Sequence, residues 1–165
     1  MADAATTPMV FTDRFDHSTD GQYRVQVPSK WRRKGVANET FFLELREHKT
    51  AGWHLRVMPM TEVVRLSNQL NRLGEAGGDV DDDKRALASE MPSVNLDGSG
   101  KITLPEKLAT AAGIGKNAAV KLTGAFGFFE IWNEGDHLKV LESDKRLREA
   151  ARKKALTATA KSQTS

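Results

Sequence analysis

The chain of 165 residues contains no cysteine, which excludes disulfide bonds and thiolate metal sites. It also contains no apolar run near the length of about 18 residues that a membrane-spanning helix requires. The first ten residues lack the order of basic and then apolar residues that is typical of a signal peptide. These absences indicate a soluble, cytoplasmic protein without a membrane partner.

Residue patterns for catalysis and for cofactor binding are also missing. The four histidines show no metal-ligand spacing, and no Ser/His/Asp set or carboxylate pair stands in a catalytic context. The Gly-Lys pairs at residues 100–101 and 115–116 lack the first Gly of a phosphate loop and the Ser or Thr that follows its Lys. The acidic run at residues 79–90 has Lys84 where an EF-hand loop needs Gly. The sequence therefore predicts no enzyme, no cofactor, no metal ion and no small-molecule substrate.

Charge is distributed unevenly, although the net charge is only +3. Residues 144–165 hold seven Lys and Arg residues and two acids, and residues 24–34 hold five cations and no acid. Residues 75–83 hold five acids and no cation. This segregation suggests that one surface binds an anionic partner, although a solvated charged tail would also account for the C-terminal cations.

An internal repeat organises the chain. Residues 20–31 and 97–108 share one pattern: an acid, Gly, two residues, a cation, an apolar–polar–apolar triplet, Pro, a Lys two positions later and an apolar residue. Asp-Gly followed by polar residues is typical of a turn, and an alternating triplet is typical of a short strand with one buried face. Pro ends the strand and is well suited to the first turn of a helix. Each copy therefore predicts a turn, a strand and a short helix.

The repeat predicts an α+β, β-rich fold of two pseudo-symmetric half-units. We expect a disordered N-terminus at residues 1–10, a first half at 11–74, and an acidic connector with a short helix at 75–90. A second half follows at 91–143, and then a basic C-terminal tail at 144–165, which should project or fray. Because each half is too short to bury a core alone, we expect the halves to pack against each other.

Arg24 and Lys101 occupy corresponding positions in the two copies, four residues after Asp20 and Asp97. A structural Asp–Arg ion pair on the surface would contribute little to stability. A cation on a rigid turn, in contrast, can contact phosphates or the guanine edge in a DNA groove. We therefore favour nucleic-acid contact for this pair.

The tryptophans have a simpler interpretation. Trp31, Trp53 and Trp132 each stand at an apolar strand or helix position, so we expect them in the core rather than as stacking platforms.

With both copies described, the chain resembles the MraZ family of bacterial regulators over roughly residues 11–141. The resemblance depends on these residues: 17–20 with Arg24, Pro28 and Arg32; 96–97 with Lys101, Leu104 and Pro105; 112–114; and 129–132. It implies two halves like those of the AbrB swapped-hairpin barrel, packed as one small barrel with flanking helices. It also implies a cytoplasmic, nucleoid-associated transcriptional regulator without cofactor.

The resemblance further implies a ring-shaped homo-oligomer that binds direct repeats in double-stranded promoter DNA, with several weak contacts adding up through multivalency. The DNA-contacting positions of the family correspond to Arg24 and Lys101, and Asp20 and Asp97 would orient these side chains. The basic turn at the end of the first copy adds Lys30 and Arg32 to the expected DNA-binding residues.

Several features depart from the family pattern, among them Tyr23 and Lys101. Tyr23 replaces the usual Gly before the first cation, so we expect that turn to differ or Tyr23 itself to reach DNA. Lys101 cannot form the bidentate contact to guanine that Arg forms. The alternative function is therefore a protein-interaction or scaffolding module that keeps the barrel but has lost operator reading.

Overall fold

The computed structural model of the chain describes residues 7–164. Residues 1–6, on which most of the predicted N-terminal disorder falls, lie outside the described residues. The strands are β1 (Arg14–Ser18), β2 (Arg24–Gln26), β3 (Thr40–His48), β4 (Gly52–Pro59), β5 (Ser93–Asn95), β6 (Lys101–Thr103), β7 (Ala119–Gly124) and β8 (Phe129–Asn133). The helices are α1 (Met60–Glu75), α2 (Asp81–Ala88), α3 (Glu106–Ala111) and α4 (Glu134–Thr164), with a 3-10 turn at Ser29–Trp31. The predicted α+β, β-rich class is confirmed.

The strands form two sheets. Six of them build an antiparallel sheet in the order β1-β7-β8-β4-β3-β5, and β2 pairs with β6 in a separate antiparallel ribbon. Within residues 7–164 no ladder joins β1 to β5, so the larger sheet is open and differs from the single small barrel expected from the sequence. The ribbon strands are three residues long, and Pro28 follows β2 while Pro105 follows β6. Because Pro ends a strand, the ribbon does not extend far enough to close into a barrel.

The ladders interleave the parts of the chain before and after the acidic connector. β1 pairs with β7, β3 with β5, β2 with β6, and β4 with β8. In each of these four ladders one strand precedes residue 75 and the other follows residue 90. The two parts therefore share one hydrogen-bonded framework.

One core lies between the ribbon and the large sheet. The inward residues of the two repeats are at most 1 % exposed: Val25, Val27, Ile102 and Leu104. Their burial confirms the predicted alternation. Trp31 closes this core, with its ring centroid 4.8 Å from that of Phe129.

The predicted burial of the tryptophans is correct for Trp31 and Trp132 and wrong for Trp53, which is 43 % exposed. Trp53 lies on the same face of β4 as the buried Leu55 and Val57. Trp53 stands next to the turn between β3 and β4, outside the ladder from Leu55 to Val57 that joins β4 to β8.

The basic C-terminal segment is helical. α4 continues without interruption from Glu134 to Thr164, so the basic residues predicted as a tail form its C-terminal part. Every residue from 145 to 163 is exposed. α2 begins inside the acidic connector, where Asp81, Asp82 and Asp83 lie in its first turn and interact favourably with the helix dipole.

Candidate nucleic-acid interface

The ribbon of β2 and β6 displays one polar face. Val25 lies opposite Ile102 with both side chains buried, so the flanking residues of both strands point outward. Arg24 lies opposite Thr103, and Gln26 lies opposite Lys101. Arg24 and Lys101 are therefore diagonal neighbours on one face, a relationship that places such residues about 7–8 Å apart.

Asp20 organises the first loop, residues 20–24. Its Oδ1 accepts hydrogen bonds from the backbone amides of Gln22 and Arg24, at 2.8 and 2.9 Å. Its Oδ2 accepts a hydrogen bond from Arg24 Nε at 2.7 Å. The Arg24 side chain contacts Asp20 through Nε alone. Neither Nη of Arg24 has a partner among residues 7–164, and the side chain is 40 % exposed. The Arg24 guanidinium is thus fixed on one edge and open on the other.

The charge of Asp20 follows from these contacts. The hydrogen bond from the Arg24 amide, assisted by the Gln22 amide and the Arg24 side chain, lowers the pKa of Asp20 to about 2. The carboxylate therefore remains ionised at neutral pH and continues to hold Arg24.

The second loop, residues 97–101, repeats this arrangement. Asp97 Oδ1 accepts hydrogen bonds from the amides of Ser99 and Lys101, each at 2.9 Å, and from Ser99 Oγ at 2.7 Å. The Lys101 amide is the main cause of the lowered pKa of Asp97, and the charge of Arg24 contributes to it. Lys101 Nζ has no ion-pair partner in the part of the chain that the structure describes. The second cation is thus held only through its backbone.

Tyr23 does not change the first turn, so the prediction of a different turn is wrong. Tyr23 N donates to Asp20 O at 3.2 Å, as Gly100 N donates to Asp97 O at 3.0 Å. Tyr23 takes a φ of 59°, and Gly100 takes a φ of 81°. The ring of Tyr23 packs partly against the core, and Lys116 Nζ lies 5.5 Å from its centroid.

The two cations predicted on the basic turn have different environments. Lys30 is exposed and lies 3.7 Å from Asp13 Oδ2, a weak surface contact. Arg32 is half-buried and lies against the second loop, where a Cβ added to Gly100 would lie 2.8 Å from Arg32 Cζ. Arg32 therefore contacts the loop that carries Lys101, whereas Lys30 does not.

Sequence reasoning missed Gln26 and Lys116. Gln26 Nε2 donates to the carbonyl oxygens of Ser99 and Gly100, at 3.2 and 3.1 Å, and so connects β2 to the second loop. The period of two along β2, which places Gln26 on the same face as Arg24, could have identified it. No signal in the sequence brings Lys116 to Tyr23, because 93 residues separate them.

The fold holds the first loop through contacts distant in sequence. Thr19 Oγ1 donates to the carbonyl of Gly115 at 2.6 Å and accepts from the Ala118 amide at 3.0 Å. The Asn117 amide donates to Asp20 O at 3.3 Å. The turn before β7 thus supports the loop that presents Arg24.

The described residues contain neither a metal-ion site nor a membrane-spanning helix. Among residues 7–164, no three His, Asp or Glu side chains are grouped to hold a metal ion. None of the helices in that range has the length and apolar character needed to cross a membrane. The polar ribbon face, with its two loops and neighbouring cations, is the arrangement that suits an anionic ligand such as a nucleic acid.

Comparison with known proteins identifies the family. The chain is 30% identical over 125 residues to the transcriptional regulator MraZ of Leuconostoc citreum, covering 76% of this chain and 82% of that relative. It is 28% identical over 124 residues to the MraZ of Leuconostoc mesenteroides, covering 75% of this chain and 81% of that relative. The MraZ of Rickettsia felis is 25% identical over 148 residues, 90% of this chain and 95% of that relative. No family model matches the chain.

These relatives are all named transcriptional regulators, which is the class that a cationic ribbon face suits. The chain belongs to the MraZ family. The resemblance noted from the repeated motifs is thereby confirmed.

Proposed function

We propose that the chain is a sequence-specific, DNA-binding transcriptional regulator that binds promoter direct repeats as a ring-shaped homo-oligomer. It acts in the cytoplasm, in association with the nucleoid, and without a cofactor. Its family membership supports the regulatory class. The observation that carries the DNA-binding assignment is Arg24, whose Nε is held by Asp20 while both Nη atoms remain open.

The geometry of Arg24 suits guanine. An Arg contacts guanine O6 and N7 with two parallel N–H groups, and this contact discriminates well against other bases. Asp20 removes much of the rotational freedom of the guanidinium before DNA arrives, so less entropy is lost on binding. We assign base contact to Arg24 and orientation to Asp20.

Lys101 has the matching position but a different capacity. Its ammonium is a single point charge, which binds phosphate well and discriminates between bases poorly. Asp97 fixes the backbone of the second loop and leaves the Lys101 side chain free. We assign phosphate contact to Lys101, so that each ribbon reads bases mainly through its first half.

The remaining predicted residues support the ribbon. Tyr23 lies within the first loop and Arg32 lies against the second, and both would approach the DNA backbone. Lys30 is an exposed cation that adds phosphate attraction. A two-stranded ribbon fits the major groove, which is wide enough for such an element.

The same proposal includes the architecture of two AbrB-like half-units, residues 11–74 and 91–143, related by a pseudo-two-fold axis. It is supported by the ladders, in which β1 with β7 corresponds to β5 with β3. It is also supported by matched hydrogen bonds across the ribbon, from Val27 N to Gly100 O and from Leu104 N to Tyr23 O, both at 2.9 Å. The acidic connector at 75–90 joins the halves, and the segment at 144–165 follows them.

The ring-shaped oligomer would supply the binding strength that a single ribbon lacks. A single ribbon reads few bases, and several ribbons held at a fixed spacing convert weak contacts into stable binding to direct repeats. Light scattering of the purified protein tests this assembly directly, because a monomeric particle of 18.2 kDa would exclude the ring.

The experiment that tests the function is a binding titration with the DNA upstream of the protein's own coding region, against a scrambled duplex, over a salt series. A preference for the upstream duplex that persists at physiological salt supports the proposal. Equal and steeply salt-dependent binding to both duplexes contradicts sequence reading and leaves the protein-interaction module as the function. Salt must be varied because phosphate contacts alone weaken steeply as salt rises.

A further inference from the structure

The C-terminal part of α4 is a basic helix that leaves the body of the protein. The last helix residues that line a cleft with the sheet are Asp144, Leu147, Arg148 and Ala151, which face Asp13, Arg14, Thr123 and Gly124. Six cations lie on this part of α4, between residues 145 and 154: Lys145, Arg146, Arg148, Arg152, Lys153 and Lys154. We call residues 145–163 the basic arm.

The six cations between residues 145 and 154 are available for an external partner. All of them are exposed, and none of the six forms an ion pair with another residue in the 7–164 range. Glu149 is the one acid in the arm. Lys145 and Lys154 are about 14 Å apart along the helix axis, a length over which duplex DNA carries roughly eight phosphate charges.

The arm lacks the apolar surface that a protein partner requires. Its two leucines, Leu147 and Leu156, are nine residues apart and thus lie on opposite sides of the helix. Protein interfaces depend on clustered, buried apolar anchors, whereas binding to a phosphate backbone needs only cations. The chemistry of the arm therefore fits duplex DNA without base reading.

The position of the arm separates it from the ribbon. The first loop follows Ser18 at one end of β1, and the arm passes Arg14 at the other end, about 13 Å away. α4 runs toward the Arg14 end of the sheet. Glu134 Oε1 lies 4.0 Å from Nζ of Lys121, the residue opposite Asp16. His137, one turn later, contacts Thr123, the residue opposite Arg14. Beyond Ala151 the helix continues for about 20 Å in that direction, away from the loops.

We propose that the basic arm binds the phosphate backbone of a second DNA duplex, so that the protein bridges two DNA segments. The bridging rests on the proposed function, because the ribbon holds the first duplex. The arm itself does not depend on it, since backbone binding by the arm needs no operator. Bridging is thus a further activity beyond regulation at one promoter.

A two-duplex retention assay tests the inference. Beads carry the upstream duplex at saturating protein, and retention of a free, fluorescent duplex of unrelated sequence is measured. The arm variant replaces all six cations with Gln, which keeps good helix propensity. We expect this variant to retain at least fivefold less fluorescent duplex than wild type does. Its preference for the upstream over the scrambled duplex should stay unchanged.

A second variant separates the two sites. Arg24→Ala with Lys101→Ala should lose the preference for the upstream duplex yet still bind the unrelated duplex, with an affinity that falls steeply as salt rises. The arm variant should flatten that salt dependence, by about 0.9 in the logarithmic slope for each phosphate that the arm no longer neutralises. If the upstream preference is absent in every form but the arm variant still loses the unrelated duplex, the proposed function fails and the arm site stands.

Two results would overturn the inference. One is a wild-type protein that binds the upstream duplex but retains no second duplex. The other is an arm variant that retains the second duplex as well as wild type does, which would assign bridging to the ribbons of the oligomer. Circular dichroism checks that the helix persists, and the smaller set Arg152→Gln, Lys153→Gln and Lys154→Gln replaces the full set if that variant does not fold.

Discussion

Tyr23 adopts the left-handed backbone conformation that its counterpart Gly100 adopts in the second loop, with φ values of 59° and 81°. The two loops keep the same hydrogen bonds to Asp20 and Asp97. A non-glycine residue in this region carries a conformational cost, so contacts elsewhere must offset it. For Tyr23 those contacts are with the core and with Lys116.

Gly100→Ala should destabilise the protein by about 1–3 kcal/mol, because alanine is strained at positive φ and its Cβ would meet the Arg32 guanidinium and Gln26 Nε2. Urea unfolding measures this free energy. Gly98→Ala is the matched control in the same loop, since no atom lies within 4 Å of its added Cβ and its φ is not positive. Equal stability of the two variants would contradict the tight packing of the second loop.

Arg24→Ala should lower the affinity for the upstream duplex by about 1–3 kcal/mol, the usual cost of losing an Arg contact to guanine. Fluorescence anisotropy at fixed salt measures the change. Lys49→Ala, which removes an exposed cation at the turn between β3 and β4, is the control and should change affinity little. An unchanged affinity for Arg24→Ala would remove this residue from the site.

Asp20→Asn tests whether Asp20 acts through Arg24. Asparagine keeps an oxygen that accepts from the loop amides but loses the charge that holds Arg24 Nε. We expect a weaker affinity for the single variant and no further decrease when Asp20→Asn is added to Arg24→Ala, as a double-mutant cycle reveals. Additive decreases would instead mean that Asp20 stabilises DNA binding independently of Arg24.

Lys101→Arg should increase discrimination between the upstream and scrambled duplexes, because arginine can form the bidentate contact that lysine cannot. The expected increase is about 1–3 kcal/mol of discrimination if a guanine lies within reach. Paired titrations with both duplexes measure it. A uniform increase in affinity for both would show that position 101 faces phosphate alone.

Stability should fall as the pH drops below neutral, because His137, near the start of α4, is buried. Burial lowers its pKa, and the charges of Arg14 and Lys121 lower it further, against the opposing effect of Asp144 and Asp16. A folded-state pKa below the unfolded value of about 6.5 means that the unfolded chain binds the proton first. The contribution of His137 to the free energy of unfolding is therefore fully present above the unfolded pKa of about 6.5. It is lost as the pH falls through the lowered pKa of the folded state.

Urea unfolding at pH 7.5 and at pH 5 measures this decrease in stability. His137→Gln keeps a polar group near Thr123 Oγ1 but cannot titrate, so it should lose less stability between the two pH values than wild type does. An identical decrease in both proteins would assign the pH dependence to other groups.

Much of the ribbon could be predicted from the sequence, because its determinants are local. The acid, the glycine and the proline of each repeat fix a turn and a strand end through their own backbone preferences, and the structure has both. The alternation of Val25 and Val27 with polar residues identified the buried face correctly.

The errors all concern contacts between distant segments. The exposure of Trp53 depends on which segments pack over its face of β4, and the open sheet depends on which strands pair across the connector. Neither appears in a local pattern. The regular turn at Tyr23 was missed because a glycine preference was treated as a requirement, although tertiary contacts can hold another residue there.

The interleaved ladders also constrain how the protein is made. Asp16 in β1 and Lys121 in β7 lie 105 residues apart in sequence and 2.8 Å apart in the structure. While the ribosome is still translating the connector, β1, β2 and β3 have exposed edges that only later strands can pair. Folding to the native sheet therefore waits for nearly the whole chain, and an interrupted translation product would present unpaired strand edges that are prone to aggregation.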